Sequence, residues 1–78
     1  MKTVQISLNT ISKVKSFVNA ISQFDFDFDL ISGRYVIDAK SIMGIFSLDL
    51  SKPIDLAIHT DENIDAIMEV LQPYLLNA

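Results

Sequence analysis

Few side chains in this sequence could do chemistry, and most of the candidates are hydroxyls. Thr10 stands directly before an amphipathic run and is followed by Ser12, Lys13 and Lys15. A hydroxyl at the start of a helix lies beside unpaired backbone N–H groups and the positive end of the helix dipole, which together attract anions. Thr10 or Asn9 also suits the ordinary work of an N-cap, whose side-chain oxygen accepts from the first turn. Ser41 repeats the arrangement before Ile42, Met43, Gly44, Ile45 and Phe46. It caps a short helix, and a phosphate at such a position is favoured by the dipole. His59 is the only histidine. No base or cationic clamp accompanies it in the sequence, so a surface residue is the plain reading and a catalytic role the sharper one. Asp25, Asp27 and Asp29 alternate with phenylalanines. On a strand they would share one face about 6–7 Å apart, but the glycine and terminal glutamate of a calcium loop are missing. A solvated strand face is expected there, and no metal site.

The composition bounds what these residues can serve. Seventy-eight residues make one small domain, 1–78, because chains this short rarely support two cores. Half the residues are hydrophobic, with only two glycines and two prolines, as in a packed globular domain and not a disordered one. There are no cysteines, which removes disulfides and thiolate metal sites and fits a cytoplasmic protein. A formal charge of -4 argues against nucleic-acid binding, which needs a basic patch. No stretch approaches the roughly 18 apolar residues of a membrane span, and the N-terminus lacks the apolar core of a signal peptide. No nucleophile–base pair, metal cluster or glycine-rich phosphate loop is present. The chain is therefore expected to be neither an enzyme nor the holder of a cofactor.

The positioning elements follow from two alternating periods. Val4, Ile6 and Leu8 are apolar with polar residues between, as in a half-buried strand. Ile11, Val14, Phe17, Val18, Ile21 and Phe24 then recur at helical steps. From Phe24 to Leu30 apolar and acidic residues alternate strictly, predicting a strand with one dry and one wet face. Ser32-Gly33 makes a turn, and Tyr35, Ile37 and Ala39 mark the return strand. The Ser41 helix ends before Lys52-Pro53, and Ile54, Leu56 and Ile58 form a fourth strand. Thr60 is expected to cap a last helix with Asp61 and Glu62 in its first turn and Ile64, Ile67, Met68 and Leu71 as its stripe. Pro73 ends that helix, and Tyr74, Leu75 and Leu76 fold back onto the core. The order β-α-β-β-α-β-α predicts an α+β fold. It is an open-faced two-layer sandwich, a four-stranded antiparallel sheet with helices on one face.

The run Ala39-Lys40-Ser41-Ile42-Met43-Gly44-Ile45-Phe46-Ser47-Leu48 resembles the HPr family, the small phosphocarriers of the bacterial sugar phosphotransferase system. The pattern there is Asn-Ala-Lys-Ser-Ile-Met-Gly, one or two hydrophobic residues, then Ser-Leu. Val18, Phe24, Gly33 and the Asp61-Glu62 pair agree with it, and the element order is the HPr order. The departure sits at the active centre, where the family carries Gly-(Leu or Ile)-His-Ala-Arg-Pro-Ala. Running back from Ser41 without gaps sets Thr10 at the histidine, Ile11 at the alanine, Ser12 at the arginine and Lys13 at the proline.

The resemblance implies a histidine that takes phosphoryl from enzyme I and hands it to a sugar permease subunit. A relay needs a labile phosphoramidate; threonine is a weak nucleophile without a base, and its phosphate ester is too stable to pass on. Replacing the arginine also removes a bidentate phosphate clamp. The resemblance further implies phosphorylation of Ser41 by an HPr-type kinase, followed by docking on a transcription regulator. It makes Ile42, Met43, Ile45 and Phe46 a partner-docking surface, unless they complete the small core. The expected function is a regulatory or docking module among protein partners of the phosphotransferase system. The alternatives are a phosphocarrier with an atypical acceptor, or the fold reused for unrelated binding.

Overall fold

The computed structural model describes residues 1–76. Strand β1 (Lys2–Ile6) leads into helix α1 (Ile11–Ser22), then the hairpin of β2 (Phe28–Ser32) and β3 (Tyr35–Asp38). The short helix α2 (Ile42–Ile45), strand β4 (Ile54–Ile58), helix α3 (Ile64–Leu71) and a closing 3-10 turn (Gln72–Tyr74) complete the chain. The four strands form one antiparallel sheet in the order β1-β4-β2-β3, so the last strand in sequence sits inside the sheet. The expected α+β order is present element for element.

The registers sort the side chains. Val4, Leu56, Leu30 and Ile37 lie in one row across the sheet, and Ile6 faces Ile54 in the next. Together with Val14, Phe17, Val18 and Ile21 of α1 and Ile67 and Leu71 of α3, they build the core. Burying one such side chain is worth about 1.5–3 kcal/mol, which is why the apolar stripes dictate the layer order. The opposite face carries Thr3, Ala57, Asp29 and Asp38 in one row and Gln5, Asp55, Ile31 and Val36 in the next. The C-terminal segment folds back as expected. Ser7 N–H donates to the Tyr74 carbonyl at 2.9 Å, Leu76 N–H to that of Gln5 at 3.1 Å, and the Tyr74 hydroxyl bonds Ser16 at 2.6 Å.

Three expectations need correction. The Phe/Asp alternation does not make a strand from Phe24; β2 begins at Phe28, where Ile58 first supplies a partner. Before that point Phe24 and Phe26 pack against the core from a loop, tied down by Lys40, whose ammonium donates to the Phe24 carbonyl at 2.7 Å. A strand needs a neighbour as well as a pattern. Thr60 does not cap α3 either. Its hydroxyl accepts from Glu62 N–H at 2.9 Å, forming a local turn, while Asn63 in the left-handed region precedes the helix. The first turn accordingly contains Asp65, not Asp61 and Glu62. Ile11, expected on the buried stripe, is 64% exposed, and the buried residues of α1 begin at Val14.

Candidate functional site

Each candidate hydroxyl begins a helix. Thr10 has extended backbone (φ -136°, ψ 156°), and its oxygen accepts from Lys13 N–H at 3.1 Å. This is the N-cap geometry that a β-branched hydroxyl residue favours ahead of a helical run. Among the described residues no carboxylate or imidazole hydrogen-bonds Thr10, and Lys13 and Lys15 form no ion pair. Ser12 is exposed beside it. The α1 terminus thus offers backbone N–H groups and two free ammonium groups, but nothing to remove a proton from the hydroxyl.

Ser41 has φ -97° and ψ 105°, and its oxygen accepts from Gly44 N–H at 3.2 Å. The segment before it is braced by β3: Ser41 N–H donates to the Asp38 carbonyl at 3.0 Å and Lys40 N–H to the Asp38 carboxylate at 2.9 Å. Gly44 is a close approach. A Cβ there would lie 3.3 Å from both Ser41 Oγ and the Ile37 δ carbon, so the cap and the β3 side chain use the space glycine leaves. The Lys40 ammonium, adjacent in sequence, is directed away to the Phe24 carbonyl and over the Phe28 ring, 5.6 Å from its centroid.

Along α2 the four apolar candidates separate. Ile42, Met43 and Phe46 are exposed, Met43 at 82%. Ile45 is not: it is fully buried in the core and cannot dock a partner. The helical repeat turns it toward the interior, since α2 packs on both α1 and β3. Of the four, Ile42, Met43 and Phe46 remain exposed, as does Ile11 on the neighbouring helix.

A family model for PTS-HPr, described as the PTS HPr component phosphorylation site, matches residues 12–75. The chain belongs to the HPr family. Its structure is similar to that of HPr-C-His from Thermoanaerobacter tengcongensis, with a TM-score of 0.75 and 26% identity over 94% of this chain and 89% of that one. It is also similar to the phosphocarrier protein HPr from Bacillus anthracis str. Ames, with a TM-score of 0.70 and 27% identity over 96% and 94%. No curated protein matches. The HPr match includes Ser41 and all of α2, whereas Thr10 lies just before it.

One arrangement in this HPr homologue escaped the sequence. His59 is not alone: its ring Nε2 lies 2.8 Å from Asp29 Oδ2, and its backbone N–H donates to the Asp27 carbonyl at 3.0 Å. The pairing of Phe28 with Ile58 carries these residues, distant in sequence, to adjacent strand positions. Asp27, Asp29, Asp38 and His59 line a cleft of about 380 Å³. Its carboxylates repel a phosphoryl anion, so the orientation of His59 does not make it a favourable acceptor. Asp25, Asp27 and Asp29 do not share one strand face, because only Asp29 belongs to β2. Among the described residues no helix is long and apolar enough to cross a membrane.

Proposed function

We propose that this chain is a regulatory or docking member of the HPr family and not a phosphoryl relay. The reading is carried by a single feature of α2. A hydroxyl available for modification caps the helix at Ser41, and Ile42, Met43 and Phe46 stand in solvent beside it. Solvent-facing methionine and phenylalanine make an adaptable apolar contact for a protein partner.

Phosphate on Ser41 would rest on the N–H groups of the first turn. It would find no cation nearby from Lys40, whose ammonium is bonded to the Phe24 carbonyl, and it would add charge beside Asp38. The partner that reads it must therefore supply its own arginine or lysine. The proposed partners are proteins of the phosphotransferase system, an HPr-type kinase and its regulator, met in the cytoplasm by one domain spanning 1–78.

Thr10 supports the negative half of the reading. Counting back from Ser41 along the family pattern sets it where that pattern carries histidine, with Ser12 and Lys13 at the clamp and loop positions. Its oxygen already accepts from Lys13 N–H, and among the described residues no base is bonded to it.

The test is incubation with an HPr-type kinase and ATP, followed by mass spectrometry, alongside a separate reaction with enzyme I and phosphoenolpyruvate. Phosphate on Ser41, absent from Ser41→Ala, and no acid-labile phosphate from the second reaction are expected. An unmodified Ser41, or acid-labile phosphate on any residue, refutes the proposal.

A further inference from the structure

A second cleft, of about 400 Å³, opens between the β2–β3 turn and the loop joining α2 to β4. Its walls include Arg34, Lys52, Asp49 and the hydroxyl residues Ser32, Ser47 and Tyr35. In a chain of net charge -4 with only six basic residues, two of them line this one depression.

The charges are arranged to accept an anion. Arg34 forms no ion pair among the described residues, so its planar fork of donors is free for bidentate contact. Asp49 is engaged on the loop side, where Oδ1 accepts from Ser51 N–H at 3.1 Å and from the Ser51 hydroxyl at 2.6 Å. Its second oxygen stands 3.8 Å from Lys52 Nζ, a loose contact between exposed groups that an incoming dianion displaces at little cost. Two cations against one carboxylate leave the cleft positive. The aspartate-lined cleft with His59, by contrast, is negative.

Size and shape narrow the ligand further. A volume near 400 Å³ lies in the range of small-molecule sites, larger than a bare phosphate needs. Tyr35, 65% exposed, presents a ring against which a sugar or a base can lie. Gly33 at the hairpin tip has φ +60° and no side chain to close the entrance.

We propose that this cleft binds a small phosphomonoester, with Arg34 and Lys52 on the phosphate and the Tyr35 ring against the organic group. The site goes beyond the docking role of α2 and does not depend on it, and it requires no modification of Ser41.

The test is a titration of the full-length, isotope-labelled protein with inorganic phosphate, a hexose monophosphate and a nucleoside monophosphate. Amide NMR at constant ionic strength provides the readout. Saturable shifts confined to residues 32–35 and 47–52 are expected from at least one ester, bound several-fold more tightly than inorganic phosphate. Arg34→Gln and Lys52→Gln should each weaken binding about tenfold, the scale of one charge-assisted hydrogen bond at an exposed site. Tyr35→Ala should remove the preference for the ester. All three positions are exposed, and unchanged amide spectra elsewhere will show that the variants fold. The proposal fails if neither ester saturates, if Arg34→Gln and Lys52→Gln bind as wild type, or if inorganic phosphate binds as tightly as the esters. It also fails if the shifts centre on residues 10–15. Ser41 phosphorylation is scored in a separate assay, so either idea can fail alone.

Discussion

Ile45 and Met43 lie on the same short helix, two residues apart, and should answer mutation in opposite ways. Ile45 is fully buried and Met43 is 82% exposed. Truncating Ile45 to alanine removes both γ carbons and the δ carbon from the core. At about 0.8 kcal/mol per buried carbon the transfer loss is roughly 2.5 kcal/mol. The cavity left behind adds to this, because α2 is pinned by the Ser41 cap and cannot collapse freely into the space, giving about 3–4 kcal/mol in all. For a domain of this size that lowers the melting temperature by well over 10 °C, roughly 4–8 °C per kcal/mol. Met43→Ala should change stability by less than about 0.5 kcal/mol, as at an ordinary surface position. Urea denaturation of both variants measures the difference, and retention of a phosphotransferase-system partner on immobilised protein measures the other half. Met43→Ala should lose retention while keeping wild-type stability. An Ile45→Ala variant within 1 kcal/mol of wild type refutes the burial reasoning. Undiminished retention by Met43→Ala refutes its role in docking.

Thr10→Ala should cost about 1 kcal/mol by removing the α1 cap, while Thr10→Ser stays near wild type, both read by urea denaturation. A Thr10→Ala variant as stable as Thr10→Ser would mean that the hydroxyl does not cap. Hydrogen bonding from the Ser51 hydroxyl, then from its N–H, with Lys52 nearby, holds the Asp49 carboxyl below its ordinary 3.8. A carboxylate depressed on folding stabilises above its unfolded pKa and loses that contribution as pH falls through its folded pKa. The folded protein should therefore lose part of its stability below about pH 4, and Asp49→Asn should flatten that acid limb. An acid limb of equal slope in Asp49→Asn would contradict the assignment. Asp29→Asn should change stability by no more than about 1 kcal/mol, because its bond to His59 lies at the surface. A larger loss would show that the pair anchors β2 to β4.

The HPr fold was legible because its signals are local. The helical stripe of α1, the caps at Thr10 and Ser41 and the stop at Pro73 each depend on neighbours within a turn of chain. The α2 segment was legible for the same reason, as a short motif that contains its own cap and its own close-packed glycine. Misreadings occurred where the outcome depends on a distant partner. The run from Phe24 to Phe26 alternates perfectly yet remains a loop, because no strand lies beside it. Thr60 is as good a cap residue as Asn63 by type, and the chain's path into α3 decided between them.

Sequence by itself determined the element order, the two hydroxyl caps and the family, since side-chain period and cap chemistry act along the chain. Tertiary structure alone decided which apolar residue of α2 is core and which is surface. That depends on the direction from which α1 and β3 approach a helix too short to show its own phase. It likewise decided that His59 meets Asp29 and that Arg34 and Lys52 line one cleft. Such meetings are fixed by strand register and loop placement, and long-range packing sets both.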